Sequence, residues 1–145
     1  MLRLVDYSDD YFHALNALQV LPSQSCYVCS GKAMLEKLGE DPRKNRLYMV
    51  LFGDITYGAV LLKEYKEHEF FIWQMLIDQR HQDNGVGKTT LRELIQKLKA
   101  QGATKLTTTI VKDNVKSLSF FEGFGFKYQD EIDNEVNLVA EIYYE

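Results

Sequence analysis

The chain reads Gln82-Asp83-Asn84-Gly85-Val86-Gly87-Lys88 at the point where an apolar run ends and an amphipathic helix begins. The run before it, Phe70 to Ile77, is aromatic and β-branched, as is typical of a buried strand. The residues after it place apolar side chains at helical spacing, at Leu91, Leu94, Ile95 and Leu98. Glycines at a helix start let a ligand approach the backbone, and the first N–H groups of a helix lack intrahelical partners. The junction therefore predicts an anion site suited to a phosphate or pyrophosphate.

Two common phosphate motifs do not fit this loop. A P-loop needs a glycine where Gln82 stands, and the dinucleotide fingerprint needs a third glycine where Thr90 stands. The pattern that fits is Gln/Arg-x-x-Gly-x-Gly/Ala, at Gln82, Gly85 and Gly87. It resembles the acyl-CoA pyrophosphate loop of the GNAT (GCN5-related N-acetyltransferase) family. The simpler alternative is a glycine-rich turn that enters a helix, with Lys88 solvated.

A second segment strengthens the resemblance. Residues 114–126 read Asn-Val-Lys-Ser-Leu-Ser-Phe-Phe-Glu-Gly-Phe-Gly-Phe, similar to the family signature Asn-x-x-Ala-x-x-Phe-Tyr-x-x-x-Gly-Phe. Asn114 is a good N-cap for a helix that Gly125 can end, and Lys105 to Val111 reads as a β-branched strand. The resemblance implies an α/β GNAT fold: a mixed, mostly antiparallel sheet of about six or seven strands, flanked by about four helices and split in a V.

The resemblance also implies a site for acetyl-CoA as co-substrate. The acyl-pantetheine would enter the split beside the central strand, and backbone N–H groups from Asp83 to Lys88 would hold the pyrophosphate. Asn114 and Ser117 would contact the arm from the other side. The residues implied in binding acetyl-CoA are Met75, Leu76, Ile77, Gln82, Asp83, Asn84, Gly85, Val86, Gly87, Lys88, Asn114, Ser117 and Phe121.

Within the family, the chain most resembles spermidine and diamine acetyltransferases, which implies a small-molecule primary amine as acceptor. Two positions depart from the pattern: Phe121 replaces the usual Tyr acid, and Trp73 replaces the carboxylate of the polyamine enzymes. Neither side chain can move a proton, so the catalytic acid and base are left open. Trp73 is either a core aromatic or a wall of the acceptor pocket. The alternatives to a small-amine enzyme are an acyl-CoA-binding protein with weak or no activity, and a protein or peptide N-acetyltransferase.

Composition restricts the remaining function classes. With 145 residues and 46% hydrophobic content, residues 1–145 are expected to form a single N-acetyltransferase domain. A net charge of −4 argues against a nucleic-acid partner. No apolar stretch reaches the roughly 20 residues that span a bilayer, and charges near the N-terminus argue against a signal peptide. A cytoplasmic protein without a membrane partner is expected, and GNAT proteins are often homodimers through late strands or N-terminal helices.

Cys26 and Cys29 form a Cys-x-x-Cys without a second ligand pair, and the three histidines are scattered, so no metal site is predicted. Two reduced thiols near a substrate-side loop are expected. The other predicted elements of the first half are a strand over Leu2 to Val5, a helix over Asp9 to Val20 with Phe12, Leu15 and Leu18 inward, and a helix over Lys32 to Leu38 capped by Ser30 and closed by Gly39. A hairpin over Leu47 to Tyr65, with a bulge or close contact at Gly58, is followed by the central strand over Glu69 to Ile77. The last predicted strands cover Phe126 to Gln129 and Val136 to Tyr144.

Overall fold

The structure, a computed structural model, describes residues 1–19, 30–82 and 85–143. Its strands are β1 (Leu2–Asp6), β2 (Asn45–Phe52), β3 (Ile55–Lys66), β4 (Glu69–Ile77), β5 (Lys105–Val111), β6 (Lys127–Ile132) and β7 (Glu135–Glu141). Its α-helices are α1 (Phe12–Ala17), α2 (Gly31–Glu40), α3 (Val86–Ala100) and α4 (Val115–Phe124). Short 3₁₀ turns over Asp9–Tyr11 and Gln79–His81 precede α1 and α3.

All these strands form one sheet in the order β1-β2-β3-β4-β5-β7-β6. β4 and β5 run parallel, joined through α3, and the other neighbouring pairs are antiparallel. A parallel pair needs a crossover connection, whereas the hairpins need only short turns. The mixed, mostly antiparallel sheet with four helices confirms the predicted fold class.

The two faces of the sheet bury two separate hydrophobic clusters. Alternate residues of β3 divide between them: Val60 and Leu62 pack with α3 and α4, and Ala59 and Leu61 pack with α1 and α2. The first cluster includes the predicted stripe of α3, in which Leu91, Leu94 and Leu98 are fully buried. We call the side of the sheet that carries α1 and α2 the α1/α2 face.

The central elements lie where the sequence predicts them. The bounds of β4 and β5 are those predicted. Ser30 caps α2 through a hydrogen bond that its Oγ accepts from Ala33 N at 3.2 Å. Gly58 combines both predicted features, because it adjoins a bulge in β3 and an added Cβ would collide with the Leu76 carbonyl oxygen.

The predicted helix over Asp9 to Val20 is wrong in length and in one inward residue. It begins as a 3₁₀ turn, is α-helical only over Phe12–Ala17, and Leu18 is already extended. Phe12 is 46% exposed, whereas Leu15 is buried. The helix ends early because Gln19 bonds elsewhere: its N–H donates to the Asp78 carboxylate and its carbonyl accepts from Gln79 N.

Other predicted bounds also shift. Gly39 lies inside α2, which continues to Glu40, so Gly39 does not close the helix. The last two strands form a hairpin: β6 is Lys127–Ile132 instead of Phe126 to Gln129, and β7 is Glu135–Glu141 instead of Val136 to Tyr144. Its turn residues Asp133 and Asn134 have φ of 50° and 36°, as a two-residue type I′ turn requires. Val20, Cys26, Cys29 and Tyr144 lie outside the described residues.

Candidate active site

The sheet splits between its two parallel strands. β4 pairs with β5 only from Glu69 to Ile72, where Ile72 lies opposite Thr108. The Thr108 hydroxyl donates to the Ile72 carbonyl at 3.3 Å and so closes the paired part. Beyond that rung the described strands diverge, which leaves main-chain groups of β4 facing the gap. The predicted V-shaped split is therefore present.

A bulge in β4 coincides with the start of the split. Leu61 of β3 pairs with Gln74 and Leu62 pairs with Ile72, so Trp73 is an extra residue without a partner opposite it. A bulged strand bends and twists more strongly than a regular one. This bend accounts for the departure of β4 from β5 directly after Ile72.

The split opens into a cleft of about 520 Å³. Its walls come from the diverging strands β4 and β5, from α4 and from the start of β7. The lining residues are Phe71, Ile72, Trp73, Gln74, Met75, Thr108, Thr109, Ile110, Val111, Asn114, Ser117, Phe120, Phe121 and Glu135. Five of the predicted site residues thus share one cavity, namely Trp73, Met75, Asn114, Ser117 and Phe121.

The start of α4 supplies polar groups to this cleft. Asn114 caps the helix as predicted, because its Oδ1 accepts a hydrogen bond from Ser117 N at 3.2 Å. The second polar atom of the same side chain, Nδ2, is a donor that a ligand in the cleft can use. Phe121, at the position of the family's Tyr, is buried and packs edge-on against Phe120 and Phe126. It forms an apolar wall and has no proton to give.

The glycine loop leads from β4 into α3 in the predicted way. Gln82 Nε2 donates to the Ile77 carbonyl at 2.8 Å and thereby fixes the loop to the end of β4. Gly85 has φ of 77°, a left-handed conformation that glycine adopts without strain, and α3 begins at Val86. Asp83 and Asn84 lie outside the described residues.

Gly87 also makes room for a neighbouring helix, in addition to its predicted role at the pyrophosphate. A Cβ added there would lie 3.3 Å from the ring of Phe120, a residue of the cleft wall. The absent side chain therefore lets α4 pack closely on α3, next to the cleft wall. Val86 packs against the first hydrophobic cluster, and Lys88 is exposed.

The predicted site residues at the end of β4 lie in different surroundings. Met75 lines the cleft, whereas Leu76 is 4% exposed and belongs to the cluster under α1 and α2. Ile77 uses its carbonyl to hold Gln82. Any contact of Leu76 with acetyl-CoA would therefore be a main-chain contact.

A second cavity, a groove of about 440 Å³, lies on the α1/α2 face beside β5, β6 and β7. Its lining residues are Lys63, Tyr65, Phe71, Trp73, Thr107, Thr109, Gln129 and Asn137. Phe71, Trp73 and Thr109 line both cavities, so the groove and the cleft meet at these three side chains. Sequence reasoning gave Trp73 but missed Thr109, because its importance depends on where the strands stop pairing.

Trp73 is held in this wall by two neighbours. The Phe71 ring packs against it edge-on at 4.8 Å between centroids, and Lys37 Nζ lies 4.2 Å from the centroid of the indole. The indole Nε1 is buried and has no hydrogen-bond partner among the described residues. Lys37 thus already occupies one face of the indole, where a cation binds favourably.

The ionisable hydroxyl of the groove is Tyr65. Burial, and then the negative charge of Glu69, raise the pKa of Tyr65 above its usual value. Its hydroxyl lies 3.4 Å from a Glu69 carboxylate oxygen, and Glu69 also pairs with Lys66 and Lys105. Tyr65 therefore keeps its proton at neutral pH and can donate a hydrogen bond, but it cannot act as a base.

A buried carboxylate that the sequence reasoning did not single out lies next to the loop. Asp78 is 1% exposed, and its oxygens accept from Gln19 N at 3.0 Å, Arg80 N at 3.0 Å and Arg80 Nε at 2.8 Å. Burial alone would raise the pKa of Asp78, but the hydrogen bonds from Arg80 and Gln19 outweigh it and hold the pKa below its usual value. This carboxylate is structural, because its acceptor sites are occupied by backbone and guanidinium donors.

Across residues 1–19, 30–82 and 85–143, no group of three or more His, Cys, Asp or Glu side chains could hold a metal ion. None of the helices in this part of the chain is long and apolar enough to cross a membrane.

Comparison with known proteins decides the family. The sequence model of the Acetyltransferase (GNAT) family matches residues 12–126. The chain belongs to the GNAT acetyltransferase family. A curated relative of this acetyltransferase, spermine/spermidine N(1)-acetyltransferase of Bacillus subtilis (strain 168), is 29% identical over 133 residues, which cover 87% of this chain and 88% of the relative.

Solved structures agree with the GNAT fold. The spermidine N-acetyltransferase of Vibrio cholerae, in complex with CoA and spermine, superposes with a TM-score of 0.79 at 15% identity, covering 97% of this chain and 95% of that one. The ribosomal-protein-S18-alanine N-acetyltransferase of Escherichia coli superposes with a TM-score of 0.77 at 15% identity, covering 100% and 96%.

The chain is an acetyl-CoA-dependent N-acetyltransferase, and the geometry suits that co-substrate. A long thioester arm needs a narrow passage with main-chain hydrogen-bonding groups, and the gap beside β4 provides one. A pyrophosphate needs backbone N–H donors at a helix start, and the junction of Gly85 with α3 provides those.

Proposed function

We propose that this acetyltransferase transfers the acetyl group of acetyl-CoA to the primary amine of a small molecule, with diamines and polyamines as the first acceptors to test. The observation that carries the proposal is the meeting of the groove and the cleft at Phe71, Trp73 and Thr109. A thioester in the cleft and an amine in the groove can approach each other there. Holding both reactants in this geometry removes much of the entropic barrier to a bimolecular reaction.

The binding roles of the loop and strands form part of the proposal. Backbone N–H groups of residues 83–88 hold the pyrophosphate, and main-chain groups of residues 75–77 bind the pantetheine amides. Asn114 and Ser117 contact the arm, and Phe121 packs against it. Support comes from the cleft lining, which includes Met75, Asn114, Ser117 and Phe121.

The charges of the groove bear on which amine fits. Lys63 lines the groove, and Lys37 covers the face of Trp73. Two cations close to the acceptor repel a ligand with many positive charges more than one with few. The B. subtilis relative is named for spermine and spermidine, which supports the polyamine class. Within that class, we expect short diamines to be better acceptors than spermine.

Proton transfer in this enzyme does not use the family's Tyr. Because Phe121 replaces it, the thiolate leaves without a proton donor at that position, and Trp73 supplies no base. We propose that positioning of the neutral amine carries much of the rate, with water removing the proton. The turnover number is therefore expected to be low for the family and to rise with pH as more amine becomes neutral.

The first experiment follows thiol release from acetyl-CoA with spermidine, spermine, short diamines, amino acids and peptides as acceptors. Calorimetric titration of acetyl-CoA binding accompanies it. Turnover on diamines or polyamines supports the proposal. Turnover on peptides alone indicates a peptide N-acetyltransferase, and tight acetyl-CoA binding with no turnover indicates an acyl-CoA-binding protein; either result contradicts the proposal.

Three expectations from the sequence remain predictions. We propose that residues 1–145 act as a single N-acetyltransferase domain, which the continuous seven-stranded sheet supports. A cytoplasmic location and a homodimer are also predicted. Sedimentation at several protein concentrations tests the dimer, and β6 is a suitable contact because it is an edge strand with exposed Tyr128 and Ile132.

A further inference from the structure

Three polar side chains form a continuous hydrogen-bonded row across β5, β7 and β6. Thr109 lies opposite Asn137, and Asn137 lies opposite Asp130. Thr109 Oγ1 donates to Asn137 Oδ1 at 2.6 Å, and Asn137 Nδ2 donates to Asp130 Oδ1 at 2.6 Å. Asp130 reaches this register because β6 contains an extra residue, Gln129, between the pairs Tyr128–Leu138 and Asp130–Asn137.

The carboxylate fixes the direction of every hydrogen bond in the row. A carboxylate only accepts, so Asn137 must turn its Nδ2 toward Asp130 and its Oδ1 toward Thr109. The Thr109 hydroxyl must then donate its single proton to Asn137. What Thr109 can offer any other group is a lone pair of Oγ1, and it therefore acts only as a hydrogen-bond acceptor.

Thr109 differs in this from the threonines that precede it in β5. Thr107 and Thr108 donate to main-chain carbonyls of β4, those of Phe70 and Ile72, and so reinforce the paired part of the sheet. Thr109 is the first residue after the last β4–β5 rung, and its hydroxyl has a side-chain partner instead. It also lines both the groove and the cleft.

We propose that Thr109 Oγ1 accepts a hydrogen bond from the acceptor amine and aims the nitrogen lone pair at the thioester, with Asn137 and Asp130 as positioning residues that fix the hydroxyl. The inference rests on the proposed function. An acceptor-only oxygen attracts an amine N–H and repels the thioester carbonyl oxygen, so it discriminates the nucleophile from the electrophile at the point where the two cavities meet.

The step balances without an added reactant. The neutral amine R–NH₂ attacks the carbonyl carbon, the C–N bond forms, and the C–S bond breaks with its electron pair on sulfur. The nitrogen loses one proton to water, and the CoA thiolate takes up one proton from water, which gives R–NH–CO–CH₃ and CoA–SH. Thr109 keeps its own proton throughout, because that proton is held by Asn137.

The test compares T109V, T109S, D130N and E131Q with the wild type. T109V keeps the shape but removes the acceptor oxygen, and we expect it to lower kcat/KM for the amine about tenfold, the effect of one hydrogen bond. T109S keeps the hydroxyl and should have the wild-type kcat/KM. D130N should cause a smaller loss of about threefold, because an amide can also donate and so permits the reversed row. E131Q is the matched control, because Glu131 is the neighbour of Asp130 in β6 but pairs with Lys112 on the surface.

Two further readouts separate this role from a structural one. Acetyl-CoA affinity should be the same in all four variants. Amine binding to the enzyme–CoA complex, measured by calorimetry, should weaken in T109V and D130N but not in E131Q. If the wild type is active and T109V has the same kcat/KM for the amine, the inference is overturned and the proposed function stands. A wild type that acetylates no amine overturns the proposed function, and equal amine binding in wild type and T109V then overturns the inference too.

Discussion

Trp73 and Lys37 form a pair whose two members must be changed together. The family resemblance places a carboxylate of the polyamine enzymes at position 73, which suggests restoring it with W73E. Lys37 Nζ lies 4.2 Å from the indole centroid, so a glutamate there would form an ion pair with Lys37. W73E alone is therefore expected to give little gain on diamines. K37Q/W73E should gain about tenfold or more if the new carboxylate acts as a general base.

Initial rates on a diamine series at saturating acetyl-CoA measure this effect, with K37Q alone as the control. The ion pair between Lys37 and Glu40 is exposed and therefore weak, so K37Q should have little effect on the stability of the fold. Equal rates for W73E and K37Q/W73E would show that Lys37 does not sequester the new carboxylate. A double variant no faster than K37Q would show that a base at position 73 is not what limits the enzyme.

Helices α3 and α4 meet at Gly87 and Phe120, and this contact links the phosphate loop to the cleft wall. A side chain at 87 would press on the Phe120 ring, which lies 3.3 Å from the position of an added Cβ. Overpacking of this kind costs about 1–3 kcal/mol. G87V is expected to weaken acetyl-CoA binding about tenfold by displacing Phe120 into the cleft. Titration calorimetry measures the change.

A double variant distinguishes this cause from direct obstruction of the pyrophosphate. If Phe120 transmits the effect, G87V/F120A should bind acetyl-CoA about as well as F120A, within about threefold. If the new side chain instead occupies the pyrophosphate's place, F120A will not restore binding. G123A is the matched control, because Gly123 is an exposed helical glycine whose added Cβ meets no atom within 4 Å.

The elements themselves were predictable, and so was the bulge beside Gly58, but the bulges that shape the site were not. Aromatic and β-branched residues gave β4 and β5 with their bounds, and a capping residue gave the start of α4. The extra residues Trp73 in β4 and Gln129 in β6 were missed, because a bulge is defined by pairing with another strand. These two bulges shape the site: the first coincides with the opening of the split, and the second brings Asp130 into register with Asn137.

At the scale of the whole molecule, family motifs predict the co-substrate cleft better than the acceptor groove. The motif residues Asn114, Ser117 and Phe121 do line one cavity. The groove depends on Lys63, Thr109 and Asn137, which come from three strands and carry no common sequence signal. Such long-range neighbours become adjacent only through sheet order, which local patterns do not specify. The groove is thus the part of the candidate site that only the fold could show.

Asp78 links the chain after α1 to the end of β4, and its charge should make the stability of the fold depend on pH. Its carboxylate ties Gln19, at the end of α1, to the end of β4. Because the folded-state pKa of Asp78 is lowered, its stabilising contribution is present above the unfolded pKa of about 3.9 and is lost as the pH falls through the folded pKa. D78A leaves partly buried N–H donors unpaired, and we expect it to lower the free energy of unfolding by about 2–4 kcal/mol at pH 7. Urea unfolding between pH 7 and about pH 2 should show that the difference in unfolding free energy between wild type and D78A closes below about pH 4.

E40Q, which removes an exposed ion pair with Lys37, is the control and should change the free energy of unfolding by less than about 0.5 kcal/mol at either pH. A difference between wild type and D78A that stays constant down to the lowest pH would mean that Asp78 stabilises the fold through packing and not through its charge.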